Sequence, residues 1–160
     1  MSKEPLRAAV LAALEAELAR QTHAALDARD ESISEESRAE NKYDTHAQEA
    51  AYLAEGQARL ATELAAALAA WRALQFPAAG HDRAQLGSLV TLTQGKRQDL
   101  LLLGPTNGGL VVPAPEDPAR EITVVTPSSP IGRALLGRAV GDLLPPPRKG
   151  APAPRLAGLA

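Results

Sequence analysis

The sequence predicts an α+β protein: an N-terminal antiparallel coiled-coil hairpin followed by a small C-terminal β domain. Two observations carry this. Apolar residues recur at three- and four-residue steps before residue 76 and in short strand-like runs after it. The segment Phe76-Pro77-Ala78-Ala79-Gly80 separates the two regimes, because proline cannot continue a helix and glycine relaxes the backbone. A third observation fits both. Aromatic residues make up 2% of the 160 residues, and each (Tyr43, Tyr52, Trp71, Phe76) falls before residue 77. A thin coiled coil of Ala and Leu and a small Leu/Val-packed sheet need few of them, unlike a large compact core.

Residues 5–29 read as the first helix. Pro5 suits a first-turn position, and Leu11, Leu14, Leu18 and Ala25 form one stripe. Residues 38–75 read as a longer helix with the seam Tyr43, His46, Ala50, Leu53, Gln57, Leu60, Leu64, Ala67, Trp71, Leu74. Its alternating steps of four and three are the heptad rhythm, with Gln57 as a polar residue that can fix register. The polar stretch DARDESISEES joins the helices, with the turn expected between about residues 30 and 38. After residue 80, Ser88–Thr93, Asp99–Leu103, Leu110–Val112 and Glu121–Thr126 read as strands. Gln94-Gly95-Lys96, Gly104–Gly109 and Pro113–Pro118 supply the turn signals between them. Ser129 caps a single helical turn that begins at Pro130. The expected division is therefore an arm at 1–76, a β domain at 77–147, and a disordered Pro/Gly/Ala-rich tail at 148–160.

Several functions are excluded at this level. The chain has no cysteine, which removes disulfides, thiolate nucleophiles and Cys-ligated zinc. His23, His46 and His81 are far apart and lack a metal-ligand spacing. Gly104–Gly109 lacks the Lys-Ser/Thr of a phosphate loop. The first twenty residues carry Glu4, Glu15 and Glu17 and have no signal-peptide core, and no apolar run is long enough to span a membrane. A cytoplasmic protein without membrane contact is expected. The net charge of −2 argues against direct nucleic-acid binding, but its distribution is polar. From Asp27 to Asp44 there are seven acids against three bases, and from residue 127 onward Arg133, Arg138, Arg148, Lys149 and Arg155 face Asp142 alone. Such poles favour an oriented encounter with a large partner. The acidic tip, with Glu35, Glu36, Glu40 and Asp44, offers hard oxygen ligands that could share a Mg²⁺. A solvated helix connection is acidic for blander reasons, and in Ser37-Arg38-Ala39-Glu40 the Glu can serve only as a capping-box residue.

The run SPIGRALLGRAVGD resembles the C-terminal signature of the Gre family of bacterial transcription elongation factors, Ser-Pro-Leu-Gly-x-Ala-Leu-x-Gly-x-x-x-Gly-Asp. Ser129, Pro130, Gly132, Ala134, Leu135, Gly137, Gly141 and Asp142 match it, with Ile131 in place of Leu. LGSLVTLT and LLLGP resemble the family's first two strands, and Glu40-Asn41-Lys42-Tyr43 resembles the end of its tip motif. The resemblance implies an FKBP-like β domain that grips the rim of RNA polymerase, through Ser129, Pro130, Gly132, Leu135 and Gly137 with the adjacent Arg133. It implies an arm in the polymerase's secondary channel and a tip near the enzyme's catalytic Mg²⁺. DNA would be reached only indirectly, through the elongation complex. The protein would be a monomer with no cofactor of its own and no enzymatic activity beyond stimulating the polymerase's transcript cleavage. The tip departs from the family pattern, because Ser37 stands where an Asp is expected and one residue is missing before Tyr43. Weak or absent cleavage stimulation is therefore expected. An isolated prolyl isomerase, which needs an aromatic-lined pocket, does not fit residues 77–160, which contain no Phe, Tyr or Trp. A coiled-coil adaptor that does not bind polymerase stays open as the alternative.

Overall fold

The computed structural model describes the backbone of residues 3–36 and 45–160, and side chains there outside positions 25, 28–29, 31–36 and 45–51. The described elements are α1 (Glu4–Glu36), α2 (Thr45–Ala73), β1 (Leu89–Gln94), β2 (Arg97–Leu103), β3 (Val111–Ala114), β4 (Asp117–Val125), α3 (Pro130–Leu135) and β5 (Arg155–Leu159). Helices precede a mixed five-stranded sheet, so the class is α+β, as the change of period at residue 76 requires. The chain divides into two compact units, Met1–Leu11 with Ala70–Ala160, and Ala12–Ala69. Both cuts fall inside helices rather than at residue 76.

The first helix runs seven residues beyond the expected end at residue 29. Nothing in Asp30–Glu36 stops it: the stretch holds no Pro or Gly, and Ser and Ile cost a helix only a few tenths of a kcal/mol each. The connection expected at residues 30–38 is therefore helical through Glu36, and residues 37–44, with the capping-box reading of Ser37 and Glu40, lie outside the described residues.

The seam of α2 keeps its expected positions at Gln57, Leu64, Ala67, Trp71 and Leu74 and departs from them at Leu53 and Leu60. Leu53 and Leu60 are exposed, at 55% and 43%, while Ala54, Gln57, Ala61 and Leu64 are half-buried and Leu68 and Trp71 are buried. These positions still step by three and four. Counting back in heptads from the enclosed Trp71 gives the expected Leu64 and Gln57, whereas counting back from the equally enclosed Leu68 gives Ala61 and Ala54 in place of Leu60 and Leu53. In α1 the buried stripe is Leu6, Val10 and Leu14, with Leu11 and Leu18 half-buried.

In the sheet the strand order is β3-β4-β2-β1-β5. β2 and β4 are parallel, with Leu100 opposite Ile122 and Leu103 opposite Val125, and the other pairs are antiparallel. One face carries Val90, Leu92, Leu103 and Val125, which pack with Ala84, Leu135, Leu144 and Leu156. Leu102 and Val124, one residue earlier on β2 and β4, are also fully buried, as expected of a sheet covered on both faces. The wholly buried Trp71 lies beside Val124 at Gly104, where a Cβ would lie 2.5 Å from the Trp71 ring and 2.8 Å from Val124. The unbroken Leu100–Leu103 run is the sequence sign of such a strand.

The turn read across Pro113–Pro118 is present but shorter, at Pro115-Glu116, and its flanks belong to the strands of the β3–β4 hairpin. Pro113 lies on the edge strand β3, and Pro118 lies in the irregular stretch of β4 between Asp117 and Glu121, before the pairing with β2 begins, so neither removes a bond from the centre of the sheet. The tail 148–160, expected to be disordered, forms β5. Its backbone is bonded on both sides: to β1 from Val90 to Thr93, and to the segment after α3 through Gly141 N–H to Leu156 O (2.8 Å), Leu156 N–H to Asp142 O (2.9 Å) and Leu144 N–H to Pro154 O (2.8 Å). Leu156, fully buried, anchors it. Tertiary pairing overrides a composition that by itself favours disorder.

Candidate functional site

The run Ser129–Asp142 is built from its cap outward. Ser129 Oγ accepts the Gly132 N–H at 3.1 Å and donates to the Thr126 carbonyl at 2.8 Å, while Pro130 opens α3. Gly132 faces that same carbonyl so closely that a Cβ would lie 1.9 Å from Thr126 O. Leu135 is fully buried in the core. Leu136 N–H donates to Gly132 O at 3.1 Å and closes the turn. Gly137 then adopts φ +76°, and its N–H donates to Ala84 O at 2.8 Å while Ala84 N–H donates to Arg138 O at 2.8 Å. Asp142 Oδ2 accepts the Ala139 N–H at 3.0 Å, and Gly141, at φ +98°, presents its N–H to β5.

Among the residues expected to grip a partner, Ser129, Gly132 and Leu135 are thus engaged inward, and Gly137 serves as a backbone hinge on the surface. Pro130 and Arg133 are exposed, and so are Leu136, Arg138 and Val140 between the matched positions. Most matched residues have a folding job, and apart from Pro130 the exposed side chains of the run come from the variable positions.

The acidic tip cannot be assembled in the same way. Glu35 and Glu36 belong to the last turn of α1, with side chains outside the described set, and Glu40 and Asp44 lie outside the described residues. Glu17, nearer the start of α1, is held below the usual carboxylate range by hydrogen bonds from the Gln21 amide (2.6 Å) and the Arg20 guanidinium. No cluster of metal-ligating side chains occurs among the described residues.

Sequence reasoning missed two polar assemblies. Arg7 closes the C-terminal end of α2: its Nη2 donates to Leu74 O at 2.6 Å, and its guanidinium lies 4.8 Å from the centre of the Phe76 ring. The carbonyls left over at a helix end favour such a cation. Lys3 lies 5.7 Å from the same ring, its Nζ donates to Gly87 O at 3.3 Å, and partial burial lowers its pKa. His81 Nε2 lies 2.7 Å from Ser88 Oγ, and Ser88, wholly buried, also accepts the Gln85 N–H at 3.0 Å. No spacing in the sequence advertises either contact, because each joins residues whose proximity exists only after the sheet has formed or the chain has turned.

A groove of about 720 Å³ opens on the sheet, lined by apolar Leu92, Leu101, Val125 and Ile131 and by charged Arg97, Asp99, Arg120 and Glu121. It contains no aromatic side chain to hold a proline ring.

No family model matches the chain, and no curated protein matches it. Solved structures do. The chain is similar to the GreA factor homolog 1 (Gfh1) protein of Thermus thermophilus, at 18% identity over 94% of each chain and a TM-score of 0.38. It is similar to a second structure of the transcription factor Gfh1 at 21% identity, over 94% of this chain and 93% of that one, with a TM-score of 0.39. For Thermus aquaticus Gfh1 the values are 19% identity, 91% and 90% coverage, and 0.38. No described helix is long and apolar enough to cross a membrane.

Proposed function

We propose that the protein is a Gre-like regulator of transcription elongation that binds RNA polymerase without catalysing a reaction of its own. The β unit docks on the enzyme's outer rim, and the helical arm enters the secondary channel with Glu35, Glu36, Glu40 and Asp44 toward the catalytic Mg²⁺. The observation that carries this is the run Ser129–Asp142. Its match to the Gre signature extends over fourteen residues, and the capping Ser129, the closely packed Gly132 and the positive-φ Gly137 and Gly141 among the matched residues each have a local structural reason in this chain. Carboxylates near a bound divalent cation are relieved of mutual repulsion, which favours insertion of the tip.

Ser37 has no carboxylate to share a second Mg²⁺, so the protein regulates the elongation complex with little transcript cleavage. Halted, backtracked elongation complexes test this. Addition of the protein should change their resumption of synthesis while the RNA keeps its length, and Ser37→Asp, which restores an acid three residues before Glu40, should shorten it. Retained function in Glu40→Gln would assign Glu40 to capping alone. A second reading, an adaptor without polymerase binding, has one observation in its favour: Tyr52, Leu53 and Leu60 are exposed on α2 and could receive another helix. A pull-down free of polymerase subunits would support it.

A further inference from the structure

The surface formed after α3 combines charge and apolar area in a way that neither the cap nor the core explains. Three arginines from separate parts of the β unit converge on residues 134–141. Arg83 Nη1 donates to Gly137 O at 2.8 Å, Arg138 Nε to Ala134 O at 3.3 Å, and Arg155 Nη1 to Gly141 O at 3.3 Å. All three are exposed, and none makes an ion pair among the described residues. Among them Leu136, Val140 and Leu143 are exposed at 38%, 57% and 54%. The acids closest in sequence are Asp82, which is exposed, and Asp142, whose Oδ2 is already bonded to the Ala139 N–H.

We infer that this arginine-and-leucine face, rather than the groove on the sheet, is where the β unit docks, and that its occupant is a protein segment of the polymerase bearing carboxylates interspersed with apolar side chains. The inference rests on the polymerase reading above. Charge complementarity selects the occupant's sign: the converging guanidinia have no carboxylate of their own. Each guanidinium spends one N–H on a backbone carbonyl, which holds it in place, and keeps further donors of its planar fork for a partner. Holding the side chains before binding lowers the ordering cost of association. The apolar half selects protein over nucleic acid. Phosphates reward the arginines but gain nothing from Leu136, Val140 and Leu143, and residues 77–160 have no aromatic ring on which a base could stack. The sheet groove is less suited, because it carries carboxylates of its own: Arg97 pairs with Asp99 at 2.8 Å, and Glu121 lines the groove beside Arg120.

The test is equilibrium binding of the full chain to purified RNA polymerase core enzyme across a salt series. The variants are Arg138→Glu/Arg155→Glu, Val140→Ser/Leu143→Ser and, in the groove, Arg120→Glu. Circular dichroism and Trp71 fluorescence confirm that each variant is folded. Both double variants should weaken binding by about tenfold or more, the charge reversal should flatten the salt dependence, and Arg120→Glu should change affinity by less than about threefold. If the unaltered protein binds and both double variants bind equally well, this docking face is wrong while the polymerase reading stands. Loss on Arg120→Glu alone would move docking to the groove. Tighter binding to bare duplex DNA than to core enzyme, lost in the arginine variant, would make the face a nucleic-acid site and overturn the inference. Absence of any polymerase binding by the unaltered protein would overturn both readings together.

Discussion

Gly132→Ala separates helix propensity from the specific geometry of α3. By propensity alone, replacing a helical glycine with alanine stabilises by about 0.5–1 kcal/mol. At position 132 the new Cβ would lie 1.9 Å from Thr126 O and 2.7 Å from Thr126 C, so the Thr126 peptide must move. That carbonyl accepts both the Ser129 N–H at 3.0 Å and the Ser129 hydroxyl at 2.8 Å. Displacing it costs about 1–3 kcal/mol in overpacking, and disturbing the Ser129 cap costs about 1 kcal/mol more. Subtracting the propensity gain leaves a net loss of about 1–3 kcal/mol, or roughly 5–20 °C in Tm for a unit of this size. Gly56→Ala is the internal control, because it lies within α2 with nothing within 4 Å of its Cβ position, and it should stabilise slightly. Trp71 is the sole tryptophan, is wholly buried, and belongs to the same compact unit as α3, so its fluorescence reports the unfolding that matters. A Gly132→Ala protein as stable as the parent, or more stable, would refute the steric argument.

Other substitutions probe the remaining elements. Ser129→Ala should cost about 1 kcal/mol in urea unfolding, since it removes the cap without creating a clash. Leu68→Ala should destabilise by about 2–4 kcal/mol and Leu60→Ala by well under half of that, because Leu68 is 4% exposed and Leu60 43%; equal losses would restore the leucine-centred seam. Gly104→Ala should alter Trp71 emission in the folded state, as its Cβ would press on the indole at 2.5 Å. Glu17 has a depressed folded-state pKa, so its stabilising contribution is present above its ordinary value of 4.5 and fades as pH falls through the lowered one. Gln21→Ala, which removes the first cause of the shift, should raise the Glu17 pKa in an NMR titration.

Much of the fold was legible because local signals agreed with it. The Ser129-Pro130 start of α3, the period change at Phe76–Gly80 and the apolar runs of β1, β2 and β4 all express physics that acts within a few residues. Misreadings arose where distant contacts decide. The α2 seam was legible at Gln57, Leu64, Ala67, Trp71 and Leu74, but the burial of Leu68 brings Ala61 and Ala54 inward and leaves Leu60 and Leu53 outside. β5 sits among prolines and glycines, and only its pairing with β1 and with Gly141–Leu144 makes it a strand. The candidate site was legible as a motif but not as a surface. The residues that match the Gre pattern are those the turn needs, whereas Arg83, Arg138 and Arg155 come together only through backbone carbonyls that the fold supplies. Arg7 on the end of α2 and His81 on Ser88 gave no signal for the same reason.

The most direct measurement is the RNA produced by halted, backtracked elongation complexes, with polymerase occupancy followed in parallel. The protein should associate with these complexes, alter the rate at which they resume synthesis, and leave most transcripts at full length. Complexes that neither bind the protein nor change their rate at saturating concentrations would contradict a role in elongation.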